Sequence, residues 1–207
     1  MKEQIHRTTV RVRPAAWGGP ALILATLALA AGAAYYAQGA LGRITKTTAA
    51  PPQAVSPVER GRYLVTIGGC NDCHTPFVMT DKGPHPDMTR MLSGHPERVK
   101  LPPPPKPQEP WVWSGAATNT AFAGPWGVSY AANLTPDKNT GLGIWDEAMF
   151  VRAIRTGKHF GEGRPIQPPM PWPAYAQMTD DDLKAVFAYL RSIPPVRNYV
   201  PDYVEPE

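Results

Sequence analysis

The chain has 207 residues, enough for one modest domain with appendages but not for two comfortable domains. Its 26 prolines exclude dense regular secondary structure throughout, because each removes a backbone donor and fixes φ. The net charge of +4 is unevenly divided: residues 1–57 carry Lys2, Arg7, Arg11, Arg13, Arg43 and Lys46 against Glu3, and the rest of the chain stands at −1, which argues against a nucleic-acid footprint on the folded part.

In chain order, residues 1–14 form a basic N-terminus and 14–42 contain no charged side chain. From Trp17 to Tyr35 a helix would rise roughly 27 Å, close to the hydrocarbon thickness of about 30 Å. The flanking aromatics fall at interfacial positions, and the Lys/Arg bias puts the N-terminus in the cytoplasm. A single transmembrane anchor is therefore expected at 15–37, with the following domain in the periplasm of a bacterial inner membrane. The alternative is a signal peptide, for which Ala37-Gln38-Gly39 is a passable cleavage site. Residues 38–57, small and proline-punctuated, read as a linker.

Ser56-Pro57-Val58-Glu59 has the form of a capping box with proline at the first helical position. It predicts a helix to about Gly68 with Val58, Tyr63, Leu64, Val65 and Ile67 partly inward. In the segment 76–126, six of the nine residues from Pro102 to Pro110 are proline, which suggests an extended insertion covering the core or docking a partner. Asp146 caps a helix to about Thr156, with Met149, Phe150, Ala153 and Ile154 on one stripe. Thr179 caps the last helix, whose three aspartates complement the positive end and whose Leu183, Val186, Phe187 and Leu190 recur at helical spacing.

Both cysteines lie in Cys70-Asn71-Asp72-Cys73-His74. Two thiols one helical turn apart match the separation of the two haem vinyl groups, and the adjacent His74 presents an imidazole to the iron from the same side. No further cysteine completes a disulfide network or a Cys-rich zinc site. One covalent haem c is expected, with His74 as an axial ligand. For the second axial position the remaining candidates are His6, His85, His95, His159, Met79, Met88, Met91, Met149, Met170 and Met178. Met170 is preferred, because Pro168-Pro169-Met170-Pro171-Trp172 forms the rigid loop that a weak thioether ligand requires.

From Cys70 onward the chain resembles the class I-like cytochrome c family, and within it the cytochrome domains that accompany membrane-bound dehydrogenases. The residues carrying the resemblance are Cys70–His74, Asn133-Leu134-Thr135-Pro136-Asp137 and Gly141-Leu142-Gly143-Ile144-Trp145. Arg155-Thr156-Gly157, Met170-Pro171-Trp172 and the helix from Asp182 to Leu190 complete it. The resemblance implies an all-α cytochrome c fold over 58–196, with the proline-rich insertion and a tail at 197–207. Its first and last helices would cross where Gly61 approaches Tyr189 or Leu190. The family's methionine ligand maps onto Met170. Those dehydrogenase subunits often carry three haem motifs, whereas this chain carries one. Trp126, Trp145, Arg152 and Arg155 are candidates for packing on the haem or pairing with its propionates.

These features lead to the expectation of an anchored carrier of single electrons rather than an enzyme. Its partners would be a membrane-bound redox complex (an oxidase, reaction centre or dehydrogenase), soluble electron carriers, and membrane lipid through the N-terminal helix. A haem enzyme or gas sensor with an open distal site is the alternative if Met170 is not a ligand. A third reading makes the proline-rich insertion the binding element of a structural subunit.

Overall fold

A computed structural model describes residues 54–105 and 107–206. The basic N-terminus, the apolar segment 15–37 and most of the linker lie outside these residues. The expected placement as a single-pass protein of a bacterial inner membrane, with its domain in the periplasm, is corrected: among the described residues no helix is long and apolar enough to cross a membrane.

Helix α1 (Pro57–Ile67) begins where the capping box requires. The Ser56 hydroxyl accepts from the Glu59 N–H at 3.2 Å, and the Ser56 N–H donates to the Glu59 carboxylate at 3.1 Å. Only Gly61, Leu64 and Val65 are buried, while Val58, Tyr63 and Ile67 point outward. The inward stripe is thus narrower than the apolar content suggests. Helix α2 (Cys70–His74) follows after a single left-handed residue, Gly69, at φ 66°. Helix α3 (Glu147–Thr156), capped by Asp146, buries Phe150 and Ala153. A short helix α4 (Trp172–Tyr175) precedes α5 (Asp180–Ser192), which buries Leu183, Ala185, Val186, Phe187 and Leu190.

Helices α1 and α5 cross at Gly61, where a Cβ would lie 1.9 Å from the Ala185 carbonyl oxygen and 2.8 Å from Cβ of Tyr189. Only glycine lets the two backbones meet so closely. An ion pair from Arg60 to Asp182 at 2.8 Å spans the same crossing. Leu64, Val65, Phe150, Phe187 and Leu190 form the core behind it, joined by the fully buried Leu92.

The all-α expectation is corrected by two antiparallel sheets between α2 and α3. Strands β1 (Phe77–Thr80) and β2 (Gly83–Pro86) form a hairpin with Phe77 opposite Pro86. Strands β3 (Ser114–Gly115), β4 (Ala121–Gly124) and β5 (Gly127–Tyr130) make a three-stranded meander, with Ala121 opposite Tyr130. These strands are at most four residues long. Neither hairpin offers the sustained alternation that marks a strand in sequence, which is why the insertion reads as irregular.

Beyond α5 the chain folds back across the domain. Asn198 is fully buried, with its Nδ2 donating to the carbonyls of Ser93 (2.7 Å) and His95 (2.8 Å). Its Oδ1 accepts from the Arg90 guanidinium (2.7 Å) and the Glu97 N–H (2.9 Å). Asn133 fixes the preceding residues, donating to the Val196 carbonyl at 2.8 Å and accepting from the Thr135 N–H at 3.0 Å. Val204 ends the return by bridging Val128 in antiparallel fashion.

Candidate functional site

The i, i+3 spacing of Cys70 and Cys73 puts both thiols on one face of the single turn α2, with His74 one residue on. The turn is held at its entry by the Tyr175 hydroxyl, which donates to the Gly68 carbonyl at 2.5 Å. His74 is buried, and its Nδ1 lies 2.7 Å from the Ala132 carbonyl oxygen. A carbonyl can only accept, so Nδ1 carries the proton and Nε2 keeps a free lone pair. Burial also pushes the His74 pKa down, which keeps the ring neutral and able to ligate. Burial pushes the Cys70 thiol up to about 11 and raises Cys73 as well. Neither thiol is in the electropositive setting that makes a cysteine a thiolate nucleophile.

A cavity of about 470 Å³ opens beside this turn. Cys70, Cys73, His74, Trp145 and Met170 all border it. Its other walls come from Phe122 of β4, residues Ser129–Leu134, and Leu142, Phe150, His159 and Phe160. Such a volume lies within the range of about 300–1,000 Å³ for small-molecule and cofactor sites. Two thiols one helical turn apart, an imidazole anchored through Nδ1, a thioether and predominantly apolar walls fit haem c as a donor set.

The loop carrying Met170 is tied down from two sides. The Ser129 hydroxyl donates to the Pro168 carbonyl at 2.5 Å, and the Ile166 N–H donates to the Gly157 carbonyl at 2.8 Å. Gly157 ends α3 in the left-handed region at φ 64°, and a Cβ there would lie 2.3 Å from the Trp172 ring. The segments Arg155–Gly157 and Met170–Trp172 therefore meet face to face.

Trp126 and Arg155 do not border the cavity. The Trp126 indole N–H donates to Ser129 Oγ at 3.3 Å, and the same Ser129 hydroxyl donates to the Pro168 carbonyl of the Met170 loop. The Arg155 guanidinium donates to the Ala176 carbonyl and to the Asp180 carboxylate at the start of α5. Arg152 is exposed on α3 and is not among the lining residues either. His85 and Met79 are exposed, while His95 is buried against Thr120 and the Val99 carbonyl. Of the other histidines, His159 does reach the cavity.

Several lining residues carry no signal in the sequence. Phe160, in the left-handed region at φ 56°, stacks on Trp145 with centroids 4.6 Å apart, and His159 meets the same indole edge-on at 5.2 Å. A phenylalanine held at positive φ stores strain that the surrounding packing must sustain. Ser129, Lys138, Arg164 and Tyr175 also join the site from loops, strands and a short helix.

No protein-family model matches the chain. Among curated proteins it is 31% identical over 177 residues to the gluconate 2-dehydrogenase cytochrome c subunit of Pantoea cypripedii, covering 85% of this chain and 29% of that protein. It is 27% identical over 148 residues to the cytochrome c subunit of the quinone alcohol dehydrogenase of Gluconobacter oxydans, covering 70% and 24%. The chain is a relative of dehydrogenase cytochrome c subunits. It also matches one of the subunits of nicotinate dehydrogenase from Pseudomonas putida, at 32% identity over 144 residues, which is 70% of this chain and 9% of that protein. The chain thus spans less than a third of the length of each of these relatives.

Proposed function

We propose that this cytochrome binds a single haem c and passes electrons one at a time within or beside a dehydrogenase, without itself carrying the substrate chemistry. The observation that carries the reading is one cavity bordered at once by Cys70, Cys73, His74 and Met170. Each cysteine S–H would add across one vinyl C=C, sulfur bonding one carbon and hydrogen the other, so no oxidant is consumed. His74 would offer Nε2 to the iron while Ala132 holds the ring in orientation through Nδ1. Met170 would supply the thioether on the proline-flanked loop, and Trp145 would pack against the porphyrin. When bound, haem c supplies reversible one-electron chemistry, and a histidine–methionine pair raises the potential relative to two histidines. The apolar walls exclude water, which narrows the change in solvation between the two oxidation states. The dehydrogenase partner is inferred from the named functions of the relatives, and a single attachment motif in the chain supports one haem.

The test is to purify the haem-loaded chain, titrate it redox-spectroscopically and expose the reduced form to carbon monoxide. One reversible one-electron couple and a spectrum indifferent to carbon monoxide are expected. A reduced form that takes up carbon monoxide would replace this reading with that of an open haem site. Isolating the native protein and identifying a co-migrating dehydrogenase tests the partner.

A further inference from the structure

We infer that Arg164, assisted by Lys138, faces the haem propionates and helps to set the reduction potential of this cytochrome. The inference rests on the haem reading above and goes beyond it by naming the electrostatic partners of the bound group. Three of the residues that line the cavity are lysine, arginine or aspartate: Lys138, Arg164 and Asp202. A haem brings two further carboxylates, so the two cations would be the natural counter-charges. Arg155, the helix-borne arginine suggested by the sequence, is engaged with Asp180. The other ion pairs among the described residues are Arg60–Asp182 and Lys184–Glu147, so neither Arg164 nor Lys138 has a carboxylate partner there.

Arg164 is exposed as a side chain but fixed as a backbone position. Its carbonyl accepts from the His159 N–H at 2.9 Å, and the next residue, Pro165, bridges Lys158. Its charge is felt at the cavity wall: with burial the larger cause, the Arg164 guanidinium also pushes down the pKa of His159, which lines the same cavity. A planar guanidinium can bind one carboxylate through two parallel N–H donors, whereas Lys138 acts as a point charge. A cation at this place favours the reduced iron, which has one positive charge fewer, so it raises the potential.

The experiment compares the haem-loaded wild type with Arg164→Gln, Arg164→Lys, Lys138→Gln and Arg155→Gln by spectroelectrochemical titration. Arg164→Gln is expected to lower the midpoint by the equivalent of about a threefold to tenfold change in the reduction equilibrium constant, tenfold being 59 mV for one electron. Arg164→Lys should restore most of the difference, and added salt should diminish it. Lys138→Gln should lower the midpoint less, and it keeps the test open if Arg164→Gln loads haem poorly. Arg155→Gln should leave the midpoint in place. An unchanged midpoint in both Arg164→Gln and Lys138→Gln, or a larger shift in Arg155→Gln, overturns the inference. If haem does not attach to the wild type, the functional reading falls with it; if haem attaches and the midpoint does not respond, only the present inference falls.

Discussion

At Ser129 a single hydroxyl ties the β4–β5 hairpin to the Met170 loop, which is far from it in sequence. It accepts from the Trp126 indole, donates to the Pro168 carbonyl and sits on β5 at the cavity wall. Replacing it with alanine leaves that carbonyl and the indole N–H without these partners, at a cost of about 1–2 kcal/mol. The Met170 loop should loosen as well, so Ser129→Ala is expected to lower the thermal midpoint and let the reduced protein bind some carbon monoxide. A variant as closed to carbon monoxide as the wild type would show that the prolines and the Ile166–Gly157 hydrogen bond hold the loop without Ser129. Ser129 also marks where residue-level reading of the sequence ends. Cys70, Cys73 and His74 stand out in the sequence because the attachment proposed for them demands fixed spacing, and Met170 because prolines on both sides make its loop rigid. A serine 41 residues before Met170 has no local pattern to announce it. Arg155 misleads for the opposite reason, since its place near the end of α3 says nothing of Asp180, which the chain brings to it.

The elements differ in how far local physics decides them. Helices α1, α3 and α5 start at Ser56, Asp146 and Thr179, each of whose side chains accepts from the backbone N–H three residues on. Caps and helical stripes are short-range and can be read directly. The β4–β5 hairpin is decided by its turn, Gly124-Pro125-Trp126-Gly127, and by tertiary cover over Phe122, which is why four-residue strands escape the helical reading. The α1–α5 crossing was legible as an expectation only through the family resemblance, which pointed to Gly61. A methyl group at Gly61 would collide with the Ala185 carbonyl, a backbone atom that cannot rotate away. Gly61→Ala is therefore expected to cost about 2–3 kcal/mol, at the upper end of the usual overpacking penalty. Denaturant titration of the haem-loaded chain should show a lower midpoint with an unchanged slope. A loss under 0.5 kcal/mol, the size of an ordinary surface substitution (~0.5 kcal/mol), would mean that the helices can separate without penalty.

For the molecule as a whole, pH response follows from groups buried in different parts of the fold. His95 is fully buried; its Nε2–H donates to the Val99 carbonyl at 3.2 Å and its Nδ1 lies 2.9 Å from the Thr120 hydroxyl. Burial first, and then the nearby Lys100, hold its pKa below the ordinary 6.5, while the bond to Val99 opposes the shift. His159 shifts in the same direction, through burial and Arg164. The unfolded chain thus binds more protons than the folded one between the lowered values and 6.5, and stability must rise with pH across that window. The contribution is complete above 6.5, falls as the medium is acidified below it, and levels off once the folded imidazole is itself protonated. Asp137, Asp180 and Asp182 act in a separate, more acidic window. Hydrogen bonds from Thr140, Arg155 and Arg60 respectively hold their carboxyls below the ordinary 3.8. Their stabilisation is present above that value and disappears as pH falls through the folded one. Unfolding free energies of the haem-loaded chain, measured at several pH values below 7, should therefore fall in two steps. In His95→Gln the first step should be shallower, because His159 still titrates, while the second should be unaltered. Since the comparison is between slopes, it holds even if the substitution lowers stability at every pH. A first step of the same depth in both proteins would mean that His95 keeps its ordinary affinity for protons in the folded state, despite its burial against Thr120 and the returning segment at Asn198.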